Sequence, residues 1–394
     1  MSDQETALLP CPLNTPNRRR IEEHGVRFTH AFCNTPQCSA ARSALLTGLE
    51  PHQTGVVTNV DGGSLGRPLP TNLPNVGKAL HDAGYSTGYF GKWHLGNEDG
   101  DLRSYGFDRY EGGVDDVAAT KAAEWITAQK GPWLAWVSVL NPHNIYDLAS
   151  VRRTSPREGV RPPASGLENL SGKPSEQQAY VDQDQGKLTH DFTPQDWLRY
   201  RSRYGELVEA ADRSLGIVLA AVKDWHDTVI VYTSDHGDAL GEHGLPFKGP
   251  FMYEPLIRIP LVISAPWKWT PGVREDMTVQ ADLAPMLADL AGVEWPRNPI
   301  ARRGAVYLEY YAKQKWVNPI RTIRTSRWKL NWYDSGHQEL YDLENDAEGR
   351  HNVASDEATR RIRIELETRL TRGAGRRNDE DQMQTDRFCV KPEP

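Results

Sequence analysis

Cys38 stands just ahead of a run of good helix formers, with Arg42 four residues on. Positions i and i+4 share one helix face, so thiol and guanidinium are predicted side by side at a helix N-terminus. That end presents free N–H groups and the positive pole of the helix dipole, which favours anions. A buried structural cysteine is the plainer account of a lone thiol, but other stretches also carry reactive side chains. Gly91-Lys92-Trp93-His94-Leu95-Gly96 follows a short apolar run, and in extended chain Lys92 and His94 would point the same way. Asn141-Pro142-His143-Asn144 closes a second apolar run. Ser234-Asp235-His236-Gly237-Asp238 closes a third; its carboxylate and imidazole suit a divalent cation, or equally a turn with a capping aspartate. Asp3, Lys248 and Asn59, taken singly, read as a terminal residue, a surface charge and a turn residue.

The elements that must position these residues read as α/β. Strands are predicted at 85–90, 133–140 and 228–233, each delivering one of the motifs, and residues just past strand ends line the site in open α/β sheets. Thr193, Pro194 and Asp196 form a strong helix start. Trp197, Tyr200, Tyr204, Leu207, Ala211, Leu215, Val218 and Val222 then recur at three and four, a long helix whose aromatic stripe is core. Shorter helices are predicted at 17–23, 73–83 and 280–291. Residues 147–192 read as a long polar loop over the site and 296–303 as a linker. Strands at 306–310, 323–325 and 328–333, a helix at 355–370 and a loose charged tail after 373 complete the chain.

Of the 394 residues, 38% are hydrophobic and 25% charged, as in a soluble globular protein. The net charge of -7 offers no nucleic-acid surface, and no apolar run approaches the ~18 residues of a membrane span. Cys11, Cys33, Cys38 and Cys389 are too few and scattered for a disulfide framework. With no signal peptide as written, the expected location is cytoplasmic, export not being excluded.

Together the motifs resemble the sulfatase family. In its maturation signature a cysteine followed by x-Pro-x-Arg, less often x-Ala-x-Arg, is oxidised to formylglycine. Here the stretch is Cys38-Ser39-Ala40-Ala41-Arg42, continued by Leu45-Leu46-Thr47-Gly48 and Pro51-His52-Gln53-Thr54-Gly55-Val56, with Ala40 where proline is usual. The Lys92–His94 stretch resembles the second signature, and the Pro-His element, Asp235-His236 and the stretch around Lys248 follow in family order. Met1-Ser2-Asp3-Gln4 matches the aspartate motif, which normally follows a buried apolar strand. That strand is absent, so either the start lies upstream, where an export signal can precede it, or a central strand is missing.

The resemblance implies an alkaline-phosphatase-like fold: a mixed, mainly parallel sheet between helices, with a smaller C-terminal α+β subdomain. Residues 1–296 would be catalytic, and 297–394 would hold a small antiparallel sheet, a helix and the tail. The implied activity is hydrolysis of a sulfate ester, small-molecule or saccharide, by a formylglycine hydrate at Cys38 and a divalent cation. Asp3, Asp235, His236 and residue 38 would hold the cation, calcium by resemblance, with manganese and magnesium as alternatives, of which the imidazole admits manganese. Arg42 and Lys92 would steady the hydrate. His143 or Lys248 would serve the leaving oxygen, His94 would take a proton as sulfate is expelled, and Asn59 would contact substrate. A formylglycine-generating enzyme is the implied maturation partner. The Asp-Gln and Asp-His variants resemble the branch containing choline sulfatase and phosphonate monoester hydrolase. A phosphonate or phosphodiester hydrolase and a non-catalytic binder of sulfated ligands are the competing readings.

Overall fold

The computed structural model of the chain describes residues 1–375 apart from 62, 97–99, 166–169, 297–303 and 314–315. In chain order the strands are β1 (Val26–Phe28), β2 (Ala31–Phe32), β3 (Ser86–Gly91), β4 (Arg109–Glu111), β5 (Trp133–Ser138), β6 (Ile230–Thr233), β7 (Leu261–Ser264), β8 (Gly272–Arg274), β9 (Thr278–Val279), β10 (Ala305–Lys313), β11 (Trp316–Thr325), β12 (Trp328–Tyr333) and β13 (Gln338–Asp342). The helices are α1 (Pro16–His24), α2 (Cys38–Thr47), α3 (Pro51–Thr54), α4 (Val76–Asp82), α5 (Asp115–Ala128), α6 (Leu148–Arg153), α7 (Ser175–Gln183), α8 (Pro194–Ala221), α9 (Glu254–Ile257), α10 (Leu283–Leu290) and α11 (Arg360–Gly375).

Adjacent aromatics in β3 show how the sheet is sandwiched. Side chains alternate across a strand, so Tyr89 and Phe90 face opposite ways. Tyr89 packs with Leu46, Val76, Leu80, Trp93 and Ala284, beneath α2, α4 and α10. Phe90 packs with Ala118, Ala122 and Val218, beneath α5 and α8. The start of α8 is as predicted: Thr193 and Asp196 cap each other's backbone N–H with Pro194 in the first turn.

β3 pairs in parallel with β4 and β5. In the second piece, ordered β6-β7-β1-β8, the β6–β7 and β7–β1 pairs are antiparallel and β1–β8 is parallel. Residues 1–3 thread between the pieces. Ser2 N–H donates to Thr233 O at 3.0 Å, Val139 N–H to Met1 O at 3.0 Å and Asp3 N–H to Asn141 O at 3.3 Å, all in parallel sense. Asp3 therefore sits at the C-terminal ends of β5 and β6, where the motif residues arrive. Ahead of it, β5 and β6 border an open, largely apolar cleft lined by Val137, Leu215, Val218 and Ile230 among others. The Met1 amine is buried at its mouth, donating to Val137 O at 2.6 Å, and burial, then Arg42, holds its pKa down to about 5.

β10 to β13 form a four-stranded antiparallel sheet. Leu366 and Leu370 of α11 pack on its Ile323, Leu330 and Leu340. The stretch 147–192 differs from the predicted loop. Asp147 caps α6 by accepting the Ser150 N–H, and α7 buries Gln177 and Tyr180 against the loop after β6 and the C-terminal sheet. The polar composition concealed these helices because they bury few apolar residues: α6 buries Val151 and α7 buries Tyr180 and the polar Gln177. The predicted linker, beyond residue 296, and the tail, beyond 375, lie outside the described residues. Among the described residues no helix is long and apolar enough to cross a membrane.

Candidate active site

α2 begins at Cys38 itself and is closed after Thr47 by Gly48, whose φ of 66° a side chain would strain. Gln37 supplies no side-chain cap, and the helix start is held from outside. Asn59 Oδ1 accepts the Ser39 N–H at 3.1 Å, while Ser39 Oγ accepts the Val60 N–H at 3.1 Å. Asn59 thus uses its carbonyl to fix the helix on which the thiol stands.

The Cys38 thiol is buried, with Lys248 Nζ at 3.0 Å and His236 Nε2 at 3.3 Å. The His143 ring also reaches it. Burial alone would raise the thiol's pKa; Lys248, Lys92 and His236 outweigh burial and hold it well below the usual range. Arg42, one turn along, fills its donor fork. It donates to Asp3 Oδ2 at 2.8 Å, Asp235 Oδ2 at 3.1 Å, Ser138 Oγ at 2.8 Å and Lys92 O at 2.7 Å. Lys92 Nζ lies 2.6 Å from Asp3 Oδ2. Burial raises the Asp3 carboxyl, but Lys92, His143 and Arg42 bring it below the ordinary carboxylate range.

These residues fit a divalent cation. Ligand atoms of Asp3, Cys38, Asp235 and His236 all lie within 4.8 Å of one another, and all four residues are buried. Asp3 Oδ1 is buried without a hydrogen-bond partner, an expensive state unless it faces an ion. His236 Nδ1 lies 2.8 Å from Gly237 O. A carbonyl only accepts, so Nδ1 carries the proton and Nε2 turns its lone pair to the site.

Of the predicted residues, Asp3, Cys38, Arg42, Lys92, His143, Asp235, His236 and Lys248 converge. His94 follows the end of β3 in a left-handed rather than an extended backbone conformation. The chain leaves the strand at Gly91 (φ 92°) and His94 has φ 58°, so the stretch is not the continuous extended chain from which its alignment with Lys92 is expected. Its Nε2 lies 3.7 Å from Asp61 Oδ1. One residue at the centre was missed. Gln4, wholly buried, accepts from Lys248 Nζ at 2.8 Å through Oε1, and its own N–H donates to Asp235 Oδ1 at 2.9 Å. Its place beside Asp3 was the available signal, but a glutamine carries no charge to mark it.

The family model described as "Sulfatase" matches residues 1–293, and that described as "N-sulphoglucosamine sulphohydrolase, C-terminal" matches 241–375. The chain is 26% identical over 387 residues to a Delta 4,5-hexuronate-2-O-sulfatase of Bacteroides thetaiotaomicron, covering 85% of this chain and 78% of the relative. It is 26% identical over 415 residues to a choline-sulfatase of Rhizobium meliloti, covering 87% and 78%. The solved phosphonate monoester hydrolase of Agrobacterium radiobacter superposes with a TM-score of 0.78 at 23% identity, covering 94% of this chain and 93% of that one. The fold is therefore alkaline-phosphatase-like, as the motifs led one to expect.

Proposed function

The chain belongs to the sulfatase family of sulfuric ester hydrolases, and from that premise we propose that it hydrolyses a saccharide sulfate ester at Cys38, converted to formylglycine. The observation that carries the proposal is the convergence of Lys248, His236 and His143 on the Cys38 side chain, beside the unpartnered Asp3 Oδ1. The hydrated aldehyde would supply the oxygen nucleophile that a sulfate ester, a poor and anionic electrophile, requires. Asp3, Asp235, His236 and residue 38 would hold a divalent cation of the calcium kind, which when bound polarises a sulfate oxygen.

The remaining residues follow from their positions. Arg42 clamps both carboxylates and so fixes the ligand set. Lys92, bound to Asp3, adds positive charge at the same edge of the site. Lys248 and His143 face the reacting side chain and would stabilise or protonate the leaving oxygen. His94, beside Asp61, would accept the proton given up as sulfate leaves. The saccharide class rests on the name of the hexuronate-2-O-sulfatase relative. A formylglycine-generating enzyme is the partner this maturation needs.

A second reading, a phosphonate monoester hydrolase, has the likeness to that solved structure in its favour. Rates on paired aryl sulfate and phosphonate esters separate the two. The central test is peptide mass. Active protein should carry a residue 38 lighter than cysteine by about 18 Da, with activity tracking the converted fraction. Full activity with an unmodified thiol would remove the mechanism.

A further inference from the structure

Gln4 is held in a way its own chemistry does not require. Its backbone is left-handed (φ 69°), a conformation uncommon for residues other than glycine. Its carbonyl accepts the Tyr204 hydroxyl at 2.7 Å. Its side-chain amide lies between two partners: Oε1 accepts from Lys248 Nζ at 2.8 Å, and Nε2 donates to Asp238 Oδ2 at 2.7 Å. Asp238 is buried and held in turn. Its Oδ1 accepts the Leu240 N–H at 2.8 Å, and the Tyr200 hydroxyl lies 3.0 Å from both of its oxygens.

We propose that Asp238 and Tyr200 are positioning residues that set which end of the Gln4 amide meets Lys248. A primary amide presents an acceptor at one end and donors at the other, and the two ends have nearly the same shape. Sterics alone would leave both orientations open. A carboxylate only accepts, so Asp238 compels the NH2 group to face it and sends the carbonyl oxygen to Lys248. The ammonium is thereby drawn to one point beside residue 38. The aromatic stripe of α8 gains a second use: Tyr200 buries its ring in the core and holds Asp238 with its hydroxyl.

Asp238→Asn makes the idea sharp. Leu240 N–H is fixed and needs an acceptor, so the new carbonyl must take the place of Oδ1. The new NH2 then confronts the Gln4 NH2, donor against donor. Gln4 turns over, its NH2 meets the Lys248 ammonium, and Lys248 loses its acceptor and withdraws from residue 38. The effect on rate rests on the proposed role of Lys248 at the leaving oxygen; the effect on structure does not.

The test is a double-mutant cycle on the metal-loaded full chain, using Asp238→Asn, Gln4→Met and the double variant, with crystal structures of each single variant. Asp238→Asn is expected to lower kcat roughly 10- to 100-fold with KM within about twofold, the loss of one charge-assisted contact. In the Gln4→Met background it should cost nothing further in kcat. In the crystal, Lys248 Nζ should stand clear of hydrogen-bond distance from residue 38. Tyr200→Phe, which keeps the ring and the charge, should lower kcat less and in the same sense, and guards against failure of the first variant to fold. Multiplicative losses in the double variant, or Lys248 unmoved in Asp238→Asn, would overturn the proposal. If the protein hydrolyses no sulfate ester, the Lys248 position still decides it.

Discussion

Glu309 on β10 offers the most exact test of how the C-terminal sheet is held over α2. Its carboxylate accepts the His52 N–H at 2.8 Å and the His52 ring Nδ1 at 2.9 Å, while its backbone N–H donates to Asn34 O at 2.9 Å. One residue on, Tyr310 OH accepts Gln37 Nε2 at 3.5 Å, at the threshold of α2. Burial raises the Glu309 carboxyl, but His52 and then Arg321 more than reverse this, from 4.5 to about 2. Burial lowers His52, and Glu309 more than reverses that, raising it above 6.5. A downward shift of this size makes the charged form worth about 3 kcal/mol over the neutral acid. Glutamine has the shape of that neutral acid, so Glu309→Gln should lose about 3 kcal/mol, within the usual range for breaking a buried pair. The sign differs for the two partners. Glu309's depressed pKa gives stability that is present above 4.5 and lost as pH falls through about 2. His52's raised pKa gives stability that is present below 6.5 and lost as pH rises through its folded value. The gap between wild type and variant should therefore be widest from pH 4.5 to 6.5 and narrower at pH 9. Urea melts of both proteins at pH 5.5 and 9 measure it. A gap that is equal at both values would refute the ion pair.

Three other outcomes follow from the geometry. Asp235→Ala should abolish turnover and also the rise in melting temperature between chelator and added Ca2+, since a bound ion stabilises the fold by mass action; an unchanged rise would show that the cation is held elsewhere. Cys38→Ala should fold and be inactive, while Cys38→Ser, lacking a second hydroxyl for release, should accumulate a covalently sulfated enzyme visible by intact mass. In a chain starting at Met1 the amine's pKa of about 5 lies below its unfolded 8.0, so the folded state binds fewer protons and stability rises with pH between them. A short apolar extension ahead of Met1 should remove that slope and stabilise the fold by about 2 to 3 kcal/mol at pH 6; denaturation curves with the slope intact would count against the buried amine.

Local signals carried much of this structure in the sequence. The capping residues and the three-four spacing marked α8 because both act within one helix. Cys38 and Arg42 were legible as neighbours because helical spacing alone decides it. Asp235-His236 and Lys92 were legible through motif order, since strand ends gather at one edge of the sheet. What escaped depends on contacts between distant segments. Nothing near Asn59 says that its carbonyl holds α2, and nothing near Tyr200 says that its hydroxyl finds Asp238. Helix α7 escaped for the same reason: Gln177 is buried because Tyr253 and Glu339 await it. His94 was placed by strand alternation, and the positive φ at Gly91 and His94 breaks it.

The burial of Cys38 also has a consequence in time. Its side chain is 1% exposed, and the groups that enclose it come from far along the chain. His236 lies 198 residues later and Lys248 210 residues later, while Gln37 is separated by 273 residues from Tyr310. At ~5 to 20 residues per second, His236 and Lys248 are made about 10 to 40 s after the thiol. During that interval the Cys38 segment lacks Asp235, His236, Lys248 and the C-terminal sheet, and is open to the solvent. Once β6 and β10 are in place the thiol is sealed, and it is reached again only when the protein opens. The order of the motifs is in this sense a schedule: Cys38 is made early, and His236, Lys248 and the C-terminal sheet that close over it are made after it.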